Sequence, residues 1–393
     1  MERRTFLKIL SSAGIVSLVS PTFAMEVCKN KVSKSSSALL ESAFRNPPFS
    51  SGVYTWWHWM NGNITKDGIT RDLEAMKANG IAGYQLFEAG SGIPIGPVES
   101  LSDEWVDLIL HTLKESERLG LEFAMHNCPG WSSSGGPWIT PDKAMQIITW
   151  SETKITGGKQ VRIQLPTPKH MFDYYIDTYC LAIPANMKVI PRLSILELSN
   201  RLDKDGVLTW DVPTGEWLIM RFGQTAKDQK NKSAPSKSTG LDCDKFSTEA
   251  LDYHLNCMFK RLMPTMEKIA KHSKIGLLID SYETGDQDWT SDMPAYFEQS
   301  HGYELYPFLP VLANKIVESE ESTKRFLFDF RRVRADMFAE RYYGHFQKRC
   351  KEKGIITYTE PYGGNMMEEL QVAQQLDINM GEFWCGQTVL WAN

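Results

Sequence analysis

No Cys-x-x-Cys spacing occurs in this 393-residue chain, and its seven cysteines are an odd number without a His-rich partner tract. That argues against a zinc site and leaves most of the cysteines as free buried thiols. Neither a Gly-x-Gly-x-x-Gly nor a Gly-x-x-x-x-Gly-Lys-[Ser/Thr] fingerprint follows the first β-prone segment, which argues against a doubly wound nucleotide-binding sheet. His-x-His is also lacking. The nearest pattern is Trp57-His58-Trp59, which argues against a zinc amidohydrolase. Charge of one sign is scarce: 43 basic and 48 acidic residues give a net charge of −5, no electrostatic footprint for nucleic acid. Past the first two dozen residues, no apolar run is long enough to span a bilayer.

What is present is an ordinary globular composition, 42% hydrophobic and 23% charged, which excludes wholesale disorder. The length fits two domains, or one large α/β barrel with an insertion. Twelve tryptophans are many for this length. An indole N–H needs a partner when buried, so several of the twelve should line a pocket or groove.

Met1–Ala24 pairs Arg3-Arg4 with an apolar middle and ends Thr22-Phe23-Ala24, the pattern of an export signal resembling the twin-arginine type. The mature chain is expected to start near Met25 and to be periplasmic or at the cell surface. Residues 25–48 read as a leader ending in Pro47-Pro48, and 49–393 as the main domain.

Strands and helices then alternate. Val53–Trp59 and Ile81–Phe87 are β-prone, with a helix from Thr65 to Asn79 between them that Gly80 stops. Ser102–Leu119 reads as the next helix, stopped by Gly120, and Leu121–Met125 as the third strand. Residues 144–213 break the pattern with short β-type runs, as a β-rich insertion would. Trp217–Phe222, Ile275–Asp280, Ile355–Thr359 and Leu376–Phe383 resume the strands, with helices over Ser247–Lys271 and Lys324–Lys353. Seven strands with intervening helices predict an α/β fold of the (β/α)8-barrel type lacking its eighth strand.

Polar and aromatic residues crowd the C-terminal ends of these strands, where such a barrel places its chemistry. Glu283, Glu360 and Glu382 follow three late strands. Glycosidic cleavage needs one protonated carboxyl to release the leaving oxygen and one ionised carboxyl to activate water or attack carbon. Sugar rings stack their C–H faces on aromatic planes, which singles out Trp57, Trp131, Tyr282, Tyr362 and Trp384. Their hydroxyls pair with imidazoles and amides, here His58, Asn61, His126 and Asn127. Asp280, at the end of an apolar strand beside Glu283, reads equally as a carboxyl of raised pKa or as one bonded to backbone.

The segments WWHWMNG (Trp56–Gly62), HNCPGWSSSGGPW (His126–Trp138), DSYETG (Asp280–Gly285), EPYG (Glu360–Gly363) and GEFW (Gly381–Trp384) together resemble glycoside hydrolase family 106. That family contains bacterial α-L-rhamnosidases. The resemblance implies an exo-acting, inverting hydrolase on a (β/α)8 barrel, with calcium at the sugar site, removing terminal α-L-rhamnose from plant polysaccharides. Glu283 and Glu382 become the acid–base pair, and Glu360 aids substrate or metal. Family members carry β-rich domains after the barrel, whereas this chain stops ten residues past Phe383, so the barrel is expected to be incomplete. Two other readings stay open: a carbohydrate-binding barrel without turnover, and a retaining glycosidase of another barrel family.

Overall fold

The computed structural model describes residues 34–382. The expected signal over Met1–Ala24, the first part of the leader, and Trp384 lie outside the described residues. Among the described residues no helix is long and apolar enough to cross a membrane. The N-terminal unit, Met1–Val53, carries a helix over Lys34–Arg45 in which Arg45 pairs with Glu41 at 3.0 Å.

The second unit, Tyr54–Asn393, is built on six strands: β1 (Val53–Met60), β2 (Ile81–Ala89), β3 (Glu122–His126), β4 (Ile275–Ile279), β5 (Ile356–Thr359) and β6 (Ile378–Asn379). They lie side by side in that order, with β2/β3, β3/β4, β4/β5 and β5/β6 parallel. Parallel neighbours need a crossover, and helices α1 (Lys66–Ala78) and α2 (Asp103–Leu119) supply the first two. Both start and stop as their sequences dictate. The Thr65 hydroxyl accepts from the Gly68 amide at 3.1 Å, and Ser102 does the same for Trp105 at 3.1 Å. Gly80 and Gly120, at φ 78° and 63°, end the two turns in the left-handed region.

The α/β fold with a parallel sheet is as expected, but of the seven strands assigned to an incomplete barrel six form the main sheet, and among the described residues it does not close. The seventh segment, Trp217–Phe222, lies within Glu216–Ala226 and pairs antiparallel with Gln146–Thr156 on one side and Ile176–Pro184 on the other. It is so apolar because it is buried on both faces. Leu218, Met220 and Phe222 face the main core, while Ile219 joins Leu165, Trp210 and Val212 in a second cluster under the two-stranded sheet of Lys159–Gln164 and Val207–Val212. A two-sided apolar run reads like a parallel strand whichever sheet it serves. The antiparallel strands of the insertion thus run on to Ala226, past the boundary expected at 213.

Two helices also differ from expectation. Ser247–Lys271 is two helices, Thr248–Phe259 and Met263–Ala270, because Pro264 cannot continue the first and sits in the opening turn of the second. Lys324–Lys353 is interrupted by a π-helical stretch, Phe338–Gly344, between Glu320–Met337 and His345–Lys351. That stretch buries both Tyr342 and Tyr343.

The two faces of the six-stranded sheet have different fates. Trp59, Tyr84, Leu86, Phe123, Met125, Leu277 and Ile279 point into the main core beneath the helices. Phe87, Ala124, Leu278 and Tyr358 form a small cluster on the other face, flanked by Trp131 and Met380. The candidate site stands on that second face.

Candidate active site

At the C-terminal ends of the strands a cavity of about 280 Å³ is lined by Trp56, His58, Phe87, Trp131, Asp280, Ser281, Glu283 and Glu382. Alternation along each strand decides who reaches it. Trp56 and His58 share one face of β1, and Trp56 Nε1 donates to Gln85 Oε1 at 2.9 Å. Phe87 stacks with His58 (5.5 Å, 25°) and with His126 (5.5 Å, 22°). Burial lowers the His58 pKa and takes that of His126 down to about 4, so both rings are neutral near pH 7.

Trp131 is delivered by the loop following β3. Gly130, at φ 84°, opens it; a Cβ there would stand 2.0 Å from the Lys232 carbonyl oxygen. Ser132 then ties three segments together. Its hydroxyl accepts from the Lys232 amide at 2.7 Å, its carbonyl accepts from the Glu283 amide at 3.3 Å, and the neighbouring Trp131 amide donates to the Lys232 carbonyl at 3.3 Å. Lys232 Nζ lies 3.6 Å from Glu283 Oε2, a half-exposed pair. The base of the loop is buried and tied together: Ser134 donates to Asn127 Oδ1 at 2.5 Å, and Lys245 Nζ reaches Asp242 at 2.6 Å and the Ser134 carbonyl at 3.1 Å.

Four carboxyl groups gather at the floor and rim. Asp280 follows β4 directly and is 5% exposed, with Oδ1 lacking a hydrogen-bond partner. Burial, and then the charges of Glu360, Glu382 and Glu283, push its pKa up to about 8. Glu360 sits behind the cavity and accepts from the Tyr362 hydroxyl at 2.8 Å; burial, with Glu382 and Glu283 nearby, raises its pKa. Ser281 Oγ donates to Glu283 Oε1 at 3.3 Å. Oxygen donors of this kind suit a hard cation such as calcium. Among the described residues, however, no three His, Cys, Asp or Glu side chains are set to hold a metal ion as they stand.

The candidates named from sequence divide accordingly. His58, Trp131, Glu283 and Glu382 line the cavity. Glu360, Tyr362 and His126 lie just behind it, His126 donating from Nδ1 to the Cys128 carbonyl at 2.9 Å. Four others are corrected. Trp57 points to the helix side, its Nε1 on Asp72 at 3.1 Å, because it alternates with Trp56. Asn61 adopts φ 50° and holds the Ile93 carbonyl at 2.6 Å, anchoring a loop. Asn127 is consumed by the Leu278 carbonyl, Ser134 and His254. Tyr282 is buried against Phe338, with its hydroxyl on the Gly285 carbonyl. Trp56, Phe87, Ser281 and Lys232 were missed as site residues, and of the two readings open for Asp280 its place in the cavity goes with the raised pKa. Strand alternation from His58 would have found Trp56, whereas nothing in the sequence marked Lys232 within its polar loop.

Carboxyl groups gathered beside aromatic faces at strand ends define a site of the glycoside hydrolase class. The chain belongs to the glycoside hydrolase 106 family, described as alpha-L-rhamnosidase, whose profile matches residues 45–177 and 169–390. A protein of Formosa agariphila named "Putative beta-glucuronidase" is 41% identical over 378 residues, covering 88% of this chain and 32% of that protein. The solved structure of a rhamnosidase from Novosphingobium sp. PP1Y superposes with a TM-score of 0.81 at 24% identity, over 89% of this chain and 50% of that one. At that identity the likeness speaks for the fold alone. The chain spans about a third of the curated relative and half of the solved one.

Proposed function

We propose that this chain is an exo-acting, inverting glycoside hydrolase that removes terminal α-L-rhamnose from plant polysaccharides. The observation that carries the reading is that Glu283 and Glu382, on loops after different strands, line one cavity together with Trp56 and Trp131. A pyranose lies in the cup with its C–H face against an indole. One of the two glutamates protonates the departing oxygen while the other draws a proton from a water that attacks the anomeric carbon from the opposite side. Inversion requires the two carboxyls to stand roughly 6.5–9.5 Å apart, so that this water fits between them.

Asp280 supplies a hydroxyl partner at the floor, and Glu360, fixed by Tyr362, stands behind it. Calcium, which the family implies, would take oxygens of Asp280 and Glu360 and would contribute positive charge beside sugar hydroxyls. The proton transfers themselves fall to the two glutamates.

The name of the Formosa relative raises a uronate as the alternative glycone. Carboxyl groups line the cup, Asp280 as a hydroxyl partner with its pKa pushed up to about 8, and the rim lysine Lys232 is already paired with Glu283, so a sugar carboxylate finds no free cation there among the described residues and a neutral deoxy sugar is favoured. The test is incubation with aryl α-L-rhamnoside and aryl β-glucuronide, the released sugar being followed by proton NMR. Initial release of the anomer opposite to that of the rhamnoside is expected. Retained configuration, or cleavage of the glucuronide alone, would overturn the reading.

A further inference from the structure

A second cavity, of about 340 Å³, opens on the antiparallel insertion between the strand Gln146–Thr156 and the turn at 168–174. Its walls include Trp150, Ile148 and Met171 as apolar surface and Thr149, Lys169 and His170 as polar groups. The turn is held open in an unusual backbone. Phe172 and Asp173 take φ of 58° and 51° in succession, a left-handed pair that Asn-Gly would fill at little cost. Phe172 nevertheless occupies it and is 44% exposed.

The turn is also well fastened. The Met171 amide donates to Thr225 Oγ1 at 3.0 Å, Thr225 Oγ1 donates to the Tyr174 carbonyl at 2.8 Å, and Thr149 Oγ1 donates to the Lys169 carbonyl at 2.9 Å. Strained backbone that is over-determined by its surroundings clusters where ligands bind.

The polar groups match a sugar diol. His170 Nδ1 lies 2.9 Å from the Pro168 carbonyl, which makes it the N–H and leaves Nε2 as an acceptor. Lys169 forms no ion pair with any described residue, so its ammonium is available to donate. An acceptor and a donor beside an indole face are what a pyranose ring presents partners for: hydroxyls on its edge, C–H bonds on its face.

From this we infer that the insertion carries a secondary glycan-binding site, taking a pyranose unit of the polysaccharide substrate. The proposal rests on the reading that the chain acts on such glycans. The strand forming its wall is tied to the catalytic loop, since the Ile148 amide donates to Asp288 Oδ1 at 2.9 Å and Gln146 bridges to Trp289. The second cavity thus stands on a strand bonded to the segment that follows Glu283.

The experiment uses the full chain, with Trp150→Ala and His170→Ala as variants. Mobility in an affinity gel containing a soluble rhamnose-containing pectic polysaccharide is read alongside kinetics on that polymer and on aryl α-L-rhamnoside. Both variants should lose most of the retardation and raise polymer KM about fivefold to tenfold, with aryl-rhamnoside kcat/KM unchanged. His170 is exposed, so its variant keeps the test alive if Trp150→Ala fails to fold. Retardation unchanged in both, polymer and aryl kinetics falling in step, or an unmodified chain that is not retarded would each overturn the proposal. Retardation through these residues without any rhamnoside turnover would support this site while removing the hydrolase reading, so the two failures are distinguishable.

Discussion

Glu88, one residue past Phe87 on β2, faces the helix side, and replacing it with Gln has a calculable consequence. Its carboxyl is buried, accepts from the Ser100 hydroxyl, and leaves Oε1 without a partner. Burial raises its pKa from 4.5 to about 7, against smaller lowering contributions from Ser100 and Trp105. Between those two values the folded chain holds a proton that the unfolded chain has released. Stability from this group is therefore fully present below about pH 4.5 and is lost as pH rises through 7. A rise of about 2.5 at 1.36 kcal/mol each comes to about 3 kcal/mol. Glu88→Gln keeps an acceptor for Ser100 and cannot ionise. Urea unfolding of both proteins from pH 4.5 to 8 should show near-equal stability at the acid end, with the variant ahead by about 3 kcal/mol at pH 8. Two profiles that stay parallel throughout would refute the claim that folded Glu88 keeps its proton up to about pH 7.

Other outcomes follow from the same geometry. Trp56→Ala should raise KM for an aryl rhamnoside several-fold and barely move the melting temperature, whereas Trp57→Ala, which loses packing against Trp59 and Tyr84, should chiefly destabilise the fold. Lys245→Met leaves Asp242 as a buried charge without its ammonium partner, and thermal or urea denaturation should register a loss of about 3–5 kcal/mol.

Much of the sheet was legible because its signals are local. The caps at Thr65 and Ser102 and the glycine stops at Gly80 and Gly120 fix α1 and α2 whatever surrounds them. The strand Trp217–Phe222 was misplaced because two-sided burial leaves the same apolar trace in a parallel sheet and in the middle of an antiparallel sandwich. Residues that line the cavity were readable where strand ends announce them, at His58, Trp131, Glu283 and Glu382. They were misread where hydrogen-bonding capacity is spent internally. Asn127 and Tyr282 look like substrate contacts by type, yet each is saturated by main chain and neighbouring side chains. Lys232 joins the site only because Ser132 draws two distant loops together, a tertiary event with no local trace.

The most direct test of the whole account is the pair Glu283→Gln and Glu382→Gln, assayed on aryl α-L-rhamnoside with rhamnose binding followed by calorimetry. Each variant should lose at least about a hundredfold in kcat, the scale of one positioned acid or base, and still bind the sugar. Turnover surviving near the unmodified rate in either variant would contradict the acid–base role of the pair.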